Sequence, residues 1–263
     1  SLVGSVRVYK RQDLDQAKLR VDKMVEDGVD ILDIRINSTK PGADVISSHQ
    51  HEEARLVLET KSNEVEAPIK FIDELLATEN ISLKGKHQRE NASLAIAAVK
   101  TFLPNIKTKD CLEGILTTTW RGRFEQFRQD SKFDIVVDGA HNREGALALV
   151  STWKEIYGEE KGIVIFSAAA NKDLKSIIKS LSEIASLILV TDPDTPRKLA
   201  DYNEICRYIP KNIDVRREAS VNKAIELARK LKGHILIAGS LFLVGEALAI
   251  IDNKRQIFEP SDQ

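Results

Sequence analysis

The sequence predicts an α/β fold built on a Rossmann-like, mostly parallel sheet, and three observations carry that prediction. Short runs of β-branched and aliphatic residues recur through the carboxyl-terminal half, each followed by a helical pattern. Turn chemistry marks the changeovers, at Asp138-Gly139, Asp192-Pro193 and Gly239-Ser240. Helix-starting side chains stand just after several of the runs, Asn142 among them.

Taken in order, residues 13–26 read as an amphipathic helix, with Leu14, Ala17, Val21 and Met24 at helical spacing. Residues 29–36 read as a strand, 37–43 as a loop around Pro41-Gly42, and 48–59 as a helix. Residues 60–77 carry a charged helical pattern with Ile69, Phe71, Ile72, Leu75 and Leu76 on one face and Pro68 in its first turn. An Ala-, Leu- and Ile-rich helix follows from Ala92, broken at Pro104, and then a second helix over 109–116. Beyond it, strands are expected at 135–137, 162–167, 187–191, 214–216 and 234–238. Helices are expected after Asn142 and over 174–185, 201–208 and 220–231, and again after Ser240.

A chain of 263 residues buries a substantial core in one large or two smaller domains. Its 42% hydrophobic and 30% charged residues are those of an ordinary soluble globular protein. A formal net charge of -1 provides no global field toward nucleic acid or an anionic membrane. Cys111 and Cys206 form neither a disulfide framework nor a metal-ligand spacing, which suits a reducing cytosol. The apolar stretch 234–251 is interrupted by Glu246 and glycines, so it reads as strand and helix rather than a membrane span.

The chemistry concentrates in residues 134–149. Ile135, Val136 and Val137 suit a strand buried on both faces, and Asp138, His141 and Asn142 fall between its carboxyl end and the next helix. Open α/β sheets place ligands there, and a helix amino terminus favours anions. Arg123 either meets a phosphate with paired hydrogen bonds or pairs on the surface with Glu125. His87, Gln88 and Asn91 either cap their helix or reach a ligand, and His141 is either a ligand contact or a buried, satisfied histidine.

Four motifs stand in order: Gly85-Lys-His-Gln-Arg-Glu-Asn-Ala92, Trp120-Arg-Gly-Arg123, Asp138-Gly-Ala-His-Asn142 and Gly239-Ser-Leu-Phe-Leu-Val-Gly-Glu246. With Asn171-Lys-Asp173 and Pro196-Arg197, they resemble the back part of dihydrofolate synthase/folylpolyglutamate synthase, in the Mur ligase superfamily. The resemblance implies a carboxyl-terminal Mur ligase domain, with ATP activating a folate or dihydropteroate carboxylate as an acyl phosphate that L-glutamate attacks. It implies Asn91, Arg123 and Asp138 as ATP contacts, His141 near the phosphates or the glutamate, and Ser240 on the glutamate. It also implies Mg2+, with ligands expected in a domain that this sequence lacks. No G-x-x-x-x-G-K-[ST] pattern occurs, so the chain alone is expected to be inactive.

Earlier in the chain, Glu26-Asp-Gly-Val-Asp-Ile-Leu-Asp-Ile34, Ser38-Thr-Lys-Pro-Gly-Ala43, Glu52-Glu53 and Arg55 resemble the start of dihydropteroate synthase, a (β/α)8 barrel. By that resemblance Thr39 faces a pterin diphosphate, although Lys40 stands where the family has arginine. Some sixty residues leave the edges of such a barrel open. The expected organisation is a TIM-barrel-type fragment over 1–60, a linker and helical remnant of the ligase central domain over 61–118, and a ligase domain over 119–263.

Overall fold

The computed structural model describes residues 34–35, 45–73, 81–129 and 133–252, in two compact units divided near residue 119. The helix expected over 13–26, the loop 37–43 and Thr39 lie outside the described residues.

In the first unit, β1 (Ile34–Arg35) pairs antiparallel with β2 (Val45–Ser48), and β2 pairs parallel with β3 (Ile69–Ile72). The helix α1 (Glu52–Glu64) connects β2 to β3, completing a βαβ unit. Two expectations are corrected here. Residues 69–72 are a strand, not a helix, because Pro68 heads a half-buried Ile-Lys-Phe-Ile run and its carbonyl accepts a hydrogen bond from Val45 N. Residues 45–48 form a strand ahead of a helix that starts at Glu52, later than 48. Two further helices, α2 (Lys86–Phe102) and α3 (Thr108–Thr117), complete this unit. Leu94 and Ala98 of α2 pack on Ile46 of β2, with Ile72 and Ala97 around them.

The second unit is a six-stranded sheet between two helical layers. Its strands are β4 (Glu125–Gln129), β5 (Phe133–Val137), β6 (Gly162–Phe166), β7 (Ala185–Thr191), β8 (Asp214–Glu218) and β9 (Ile235–Ala238). They lie in the order β4-β5-β9-β6-β7-β8, all parallel except β4. The helices are α4 (Arg143–Tyr157), α5 (Leu174–Leu181), α6 (Tyr202–Tyr208), α7 (Val221–Leu231) and α8 (Leu241–Ile251).

The two-residue period of the central strands assigns their side chains to opposite layers. Val136, Val164, Phe166, Ile188 and Leu236 pack with Trp153 and Leu174 under α4 and α5. Ile135, Val137, Ile163, Ile165 and Ile237 pack with Ile225 and Leu243 under α7 and α8. Side-chain caps start the helices: Asn142 on α4, Asp173 on α5, Asp201 on α6, Ser220 on α7 and Ser240 on α8. No described helix is long and apolar enough to cross a membrane.

Candidate nucleotide site

The carboxyl ends of β5, β9 and β6 adjoin one another in the sheet, so the loops after them share one edge. Backbone bonds stitch the loops together. Asp138 N donates to Ile237 O, and Gly239 N donates to Ala140 O at 2.9 Å. Gly239 has φ +113°, and a Cβ there would collide with Ser167 O, so only glycine fits this crossing of the three loops.

Because β4 runs against β5, the residues before β4 reach this edge too. Gly139 N donates to Gly122 O at 2.8 Å, and Phe124 N donates to Asp138 Oδ2 at 2.8 Å. The other carboxylate oxygen of Asp138 accepts from Ala140 N, also at 2.8 Å. Burial pushes the Asp138 carboxyl above the usual carboxylate range, while these two amides and the Arg123 guanidinium pull the other way.

Glu125 is engaged elsewhere, which removes the expected surface pairing with Arg123. Its carboxylate holds Arg121 Nε at 2.7 Å and accepts from Gly122 N at 2.8 Å. Arg121 also reaches Asp252 at 3.0 Å. Arg123 is left with no ion pair among the described residues.

His141 is half-buried at the amino end of α4. Its Nδ1–H donates to Gly139 O at 2.8 Å, because a carbonyl can only accept, and this leaves Nε2 as an acceptor. Burial lowers its pKa below the usual 6.5, with further lowering from Lys172 and Arg123. Lys172, in the loop after β6, therefore belongs to the electrostatic surroundings of His141. The Asn171-Lys-Asp173 motif was its only signal in the sequence.

Asn142 Oδ1 accepts from Gly145 N at 2.8 Å and is committed to capping α4. Ser240 is buried, and its Oγ accepts from Phe242 N at 3.3 Å, which leaves its hydroxyl proton free to donate. Asn91 belongs to the first unit, on α2, where its amide donates to Gln88 Oε1 at 3.1 Å. The structure thus brings together Arg123, Asp138 and His141, with Ser240 at the neighbouring loop after β9. Among the described residues no group of three or more His, Cys, Asp or Glu could hold a metal ion.

This arrangement suits a polyanion. An unpaired guanidinium, a nearby ammonium and a capped helix amino terminus collect at one edge, beside a neutral imidazole acceptor.

Both parts of the chain have counterparts among known proteins. Residues 122–241 match the Mur ligase glutamate ligase domain, and residues 5–73 match the pterin binding enzymes. Dihydrofolate synthase/folylpolyglutamate synthase of Bacillus subtilis is 32% identical over 175 residues, covering 63% of this chain and 39% of that protein. A probable bifunctional folylpolyglutamate synthase/dihydropteroate synthase of Halobacterium salinarum is 30% identical over 197 residues, 72% of this chain and 23% of that protein. The solved folylpolyglutamate synthase of Mycobacterium tuberculosis complexed with ADP superimposes with a TM-score of 0.74 at 22% identity, over 95% of this chain and 62% of that one. The chain spans less than two thirds of the length of each of these relatives. Residues 122–241 are thus similar to the Mur ligase glutamate ligase domain, and the preceding residues 5–73 to the pterin binding enzymes.

Proposed function

We propose that this chain supplies the carboxyl-terminal half-site of an ATP-dependent ligase of folate biosynthesis, joining L-glutamate to dihydropteroate or to a folate. The observation that carries the reading is the cationic edge where Arg123 and Lys172 flank His141, within the stretch that matches the glutamate ligase domain. In this reading Arg123 neutralises phosphate oxygens through its fork of N–H donors, and Asp138 and His141 complete the nucleotide side. By resemblance alone Asn91 is assigned to the nucleotide, Ser240 to glutamate and Thr39 to the pterin. ATP supplies the activating phosphoryl group when bound, and Mg2+ is assigned to ligands outside this chain.

The neutral His141 Nε2 has a defined part in the chemistry. It accepts a hydrogen bond from an incoming ammonium or a water, since its lone pair is free at neutral pH. The name of the Halobacterium relative supports a parent protein that also carries dihydropteroate synthase. On this reading the segments 1–60, 61–118 and 119–263 derive from the synthase, the ligase central domain and the ligase carboxyl-terminal domain. A cytosolic location goes with it, with Cys111 and Cys206 free.

A second reading, a nucleotide-binding chain without turnover of its own, is favoured by the missing G-x-x-x-x-G-K-[ST] loop. Glutamate-dependent ADP release on dihydropteroate tests both. We expect ADP binding but no release by the chain alone, and release once a phosphate-cradling domain is supplied. Failure to bind ADP at millimolar concentration overturns both readings.

A further inference from the structure

We propose that Asp138 acts on the ligand through Arg123, its carboxylate being the latch that holds the 120–124 loop where it presents the guanidinium. The proposal rests on the nucleotide-site reading and specifies how one residue of that site works.

Both oxygens of the carboxylate are already engaged by the protein itself. Oδ2 accepts from Phe124 N and Oδ1 from Ala140 N, each at 2.8 Å. The first bond crosses from the end of β5 to the start of β4. The second closes the turn that leads into α4. Each oxygen keeps a second lone pair, so these bonds do not close the carboxylate to a ligand; what they do is tie the backbone beside Arg123 to the turn into α4.

The loop that it holds needs holding. Phe124 stands at φ +44°, a left-handed conformation that bulky side chains seldom adopt, with its ring buried and stacked on Tyr157 at 6.5 Å. Gly122, at φ +70°, is bonded on both sides, its amide to Glu125 and its carbonyl to the amide of Gly139. A Cβ on Gly122 would meet Val244 at 2.6 Å, so α8 closes the loop from a third side. The residues before and after Arg123 are therefore pinned, while the guanidinium carries no ion pair among the described residues. A rigid backbone under an unpaired charge is the arrangement of a preorganised anion contact.

The substitution that separates the two roles is Asp138→Asn. The amide is nearly isosteric but keeps a single acceptor oxygen, and its NH2 would face an N–H donor, so one of the two loops is released. Calorimetric titration of the full chain with ADP, and with adenosine as a probe lacking phosphate, reads the result. We expect Asp138→Asn to weaken ADP by about tenfold, as Arg123→Ala does, with the double variant no weaker than Arg123→Ala alone. Adenosine affinity stays the same in all four proteins. Losses that add in the double variant, or a loss of adenosine affinity in Asp138→Asn, overturn the latch and place Asp138 on the nucleoside. Absence of ADP binding by the unaltered chain overturns the nucleotide reading itself, which is a different result.

A measurement on the unaltered protein guards against a variant that fails to fold. In a pH titration followed by NMR, the amide protons of Phe124 and Ala140 and the Arg123 Nε–H should move together as Asp138 takes up its proton. An Arg123 signal indifferent to that step also overturns the proposal.

Discussion

Asp73 and Asp138 occupy the same architectural place and have opposite electrostatic fates. Each is the first residue after a parallel strand, β3 in one unit and β5 in the other. Asp73 is half-exposed and answers to side chains, His49 Nδ1 at 3.0 Å and Arg55 at 3.6 Å. The hydrogen bond from His49 is the largest of the influences that hold its carboxyl below the ordinary range. Asp138 answers to two backbone amides, and burial pushes its carboxyl up. The end of a βα strand thus supplies a position, and depth and partner type decide what the carboxylate there can do. An exposed pair is screened and replaceable. A half-buried carboxylate bonded to amides is part of the chain's course.

The largest expected effect comes from disturbing the scaffold around Asp138. Gly239→Ala places a Cβ against Ser167 O and the Phe166 ring in a backbone conformation suited to glycine. It should cost roughly 3 kcal/mol or more in urea denaturation. A cost below about 1 kcal/mol would show that the three loops are looser than their bonds suggest.

Lys172→Ala comes next. It should weaken ADP binding about fivefold and raise the pKa of His141, because a cation facing both is removed. Titration of the His141 ring protons by NMR reads the second effect, and an unmoved midpoint separates Lys172 from the site.

A smaller effect appears in the pH dependence of stability. The folded pKa of His141 lies below its usual 6.5, so the unfolded chain binds its proton first. Its contribution is complete above pH 6.5 and is lost as pH falls from there toward the lowered value. The contribution of Asp138 runs the other way at lower pH, since its raised carboxyl takes up a proton in the folded chain before the unfolded one does. Urea midpoints between pH 7 and 5 should fall less steeply for His141→Asn than for the unaltered chain, and identical slopes would contradict the direction of the shift. The smallest effect belongs to Asp73→Asn, which should leave the Tm unchanged within error because its ion pairs stand in solvent. A clear drop in Tm would erase the contrast between the two carboxylates.

The sheet of the second unit was legible because its strands are buried on both faces and announce themselves as apolar runs. Val164 to Phe166 and Ile235 to Ala238 have no polar interruption. Two kinds of strand escaped. β2 ends in Ser47-Ser48 and β3 alternates around Lys70, and both are short enough to read as loop or helix. β4 is Glu-Gln-Phe-Arg-Gln at the sheet edge, a composition that periodicity passes over.

That last miss limited the reading of the site. Asp138, His141 and Asn142 followed from one local run and its helix, as did the cap by Asn142. The engagement of both Asp138 oxygens depends on residues that precede an antiparallel strand, and no local pattern carries that pairing.

The antiparallel course of β4 also makes its register a ruler for the arginine. Glu125 pairs with Val137 and Gln129 with Phe133, so Arg123 lies just beyond the last rung, level with the end of β5. Slipping β4 by one residue would turn Phe127 from the layer under α7 and α8 to the opposite face and carry Arg123 about 3.4 Å along the edge. A two-residue insertion between Arg123 and Glu125 would leave every strand side chain on its own face yet displace the guanidinium by about 7 Å. Among natural or engineered variants, small length changes ahead of β4 should therefore alter the reach of the site while leaving the fold intact, a separation that substitutions within the buried strands cannot achieve.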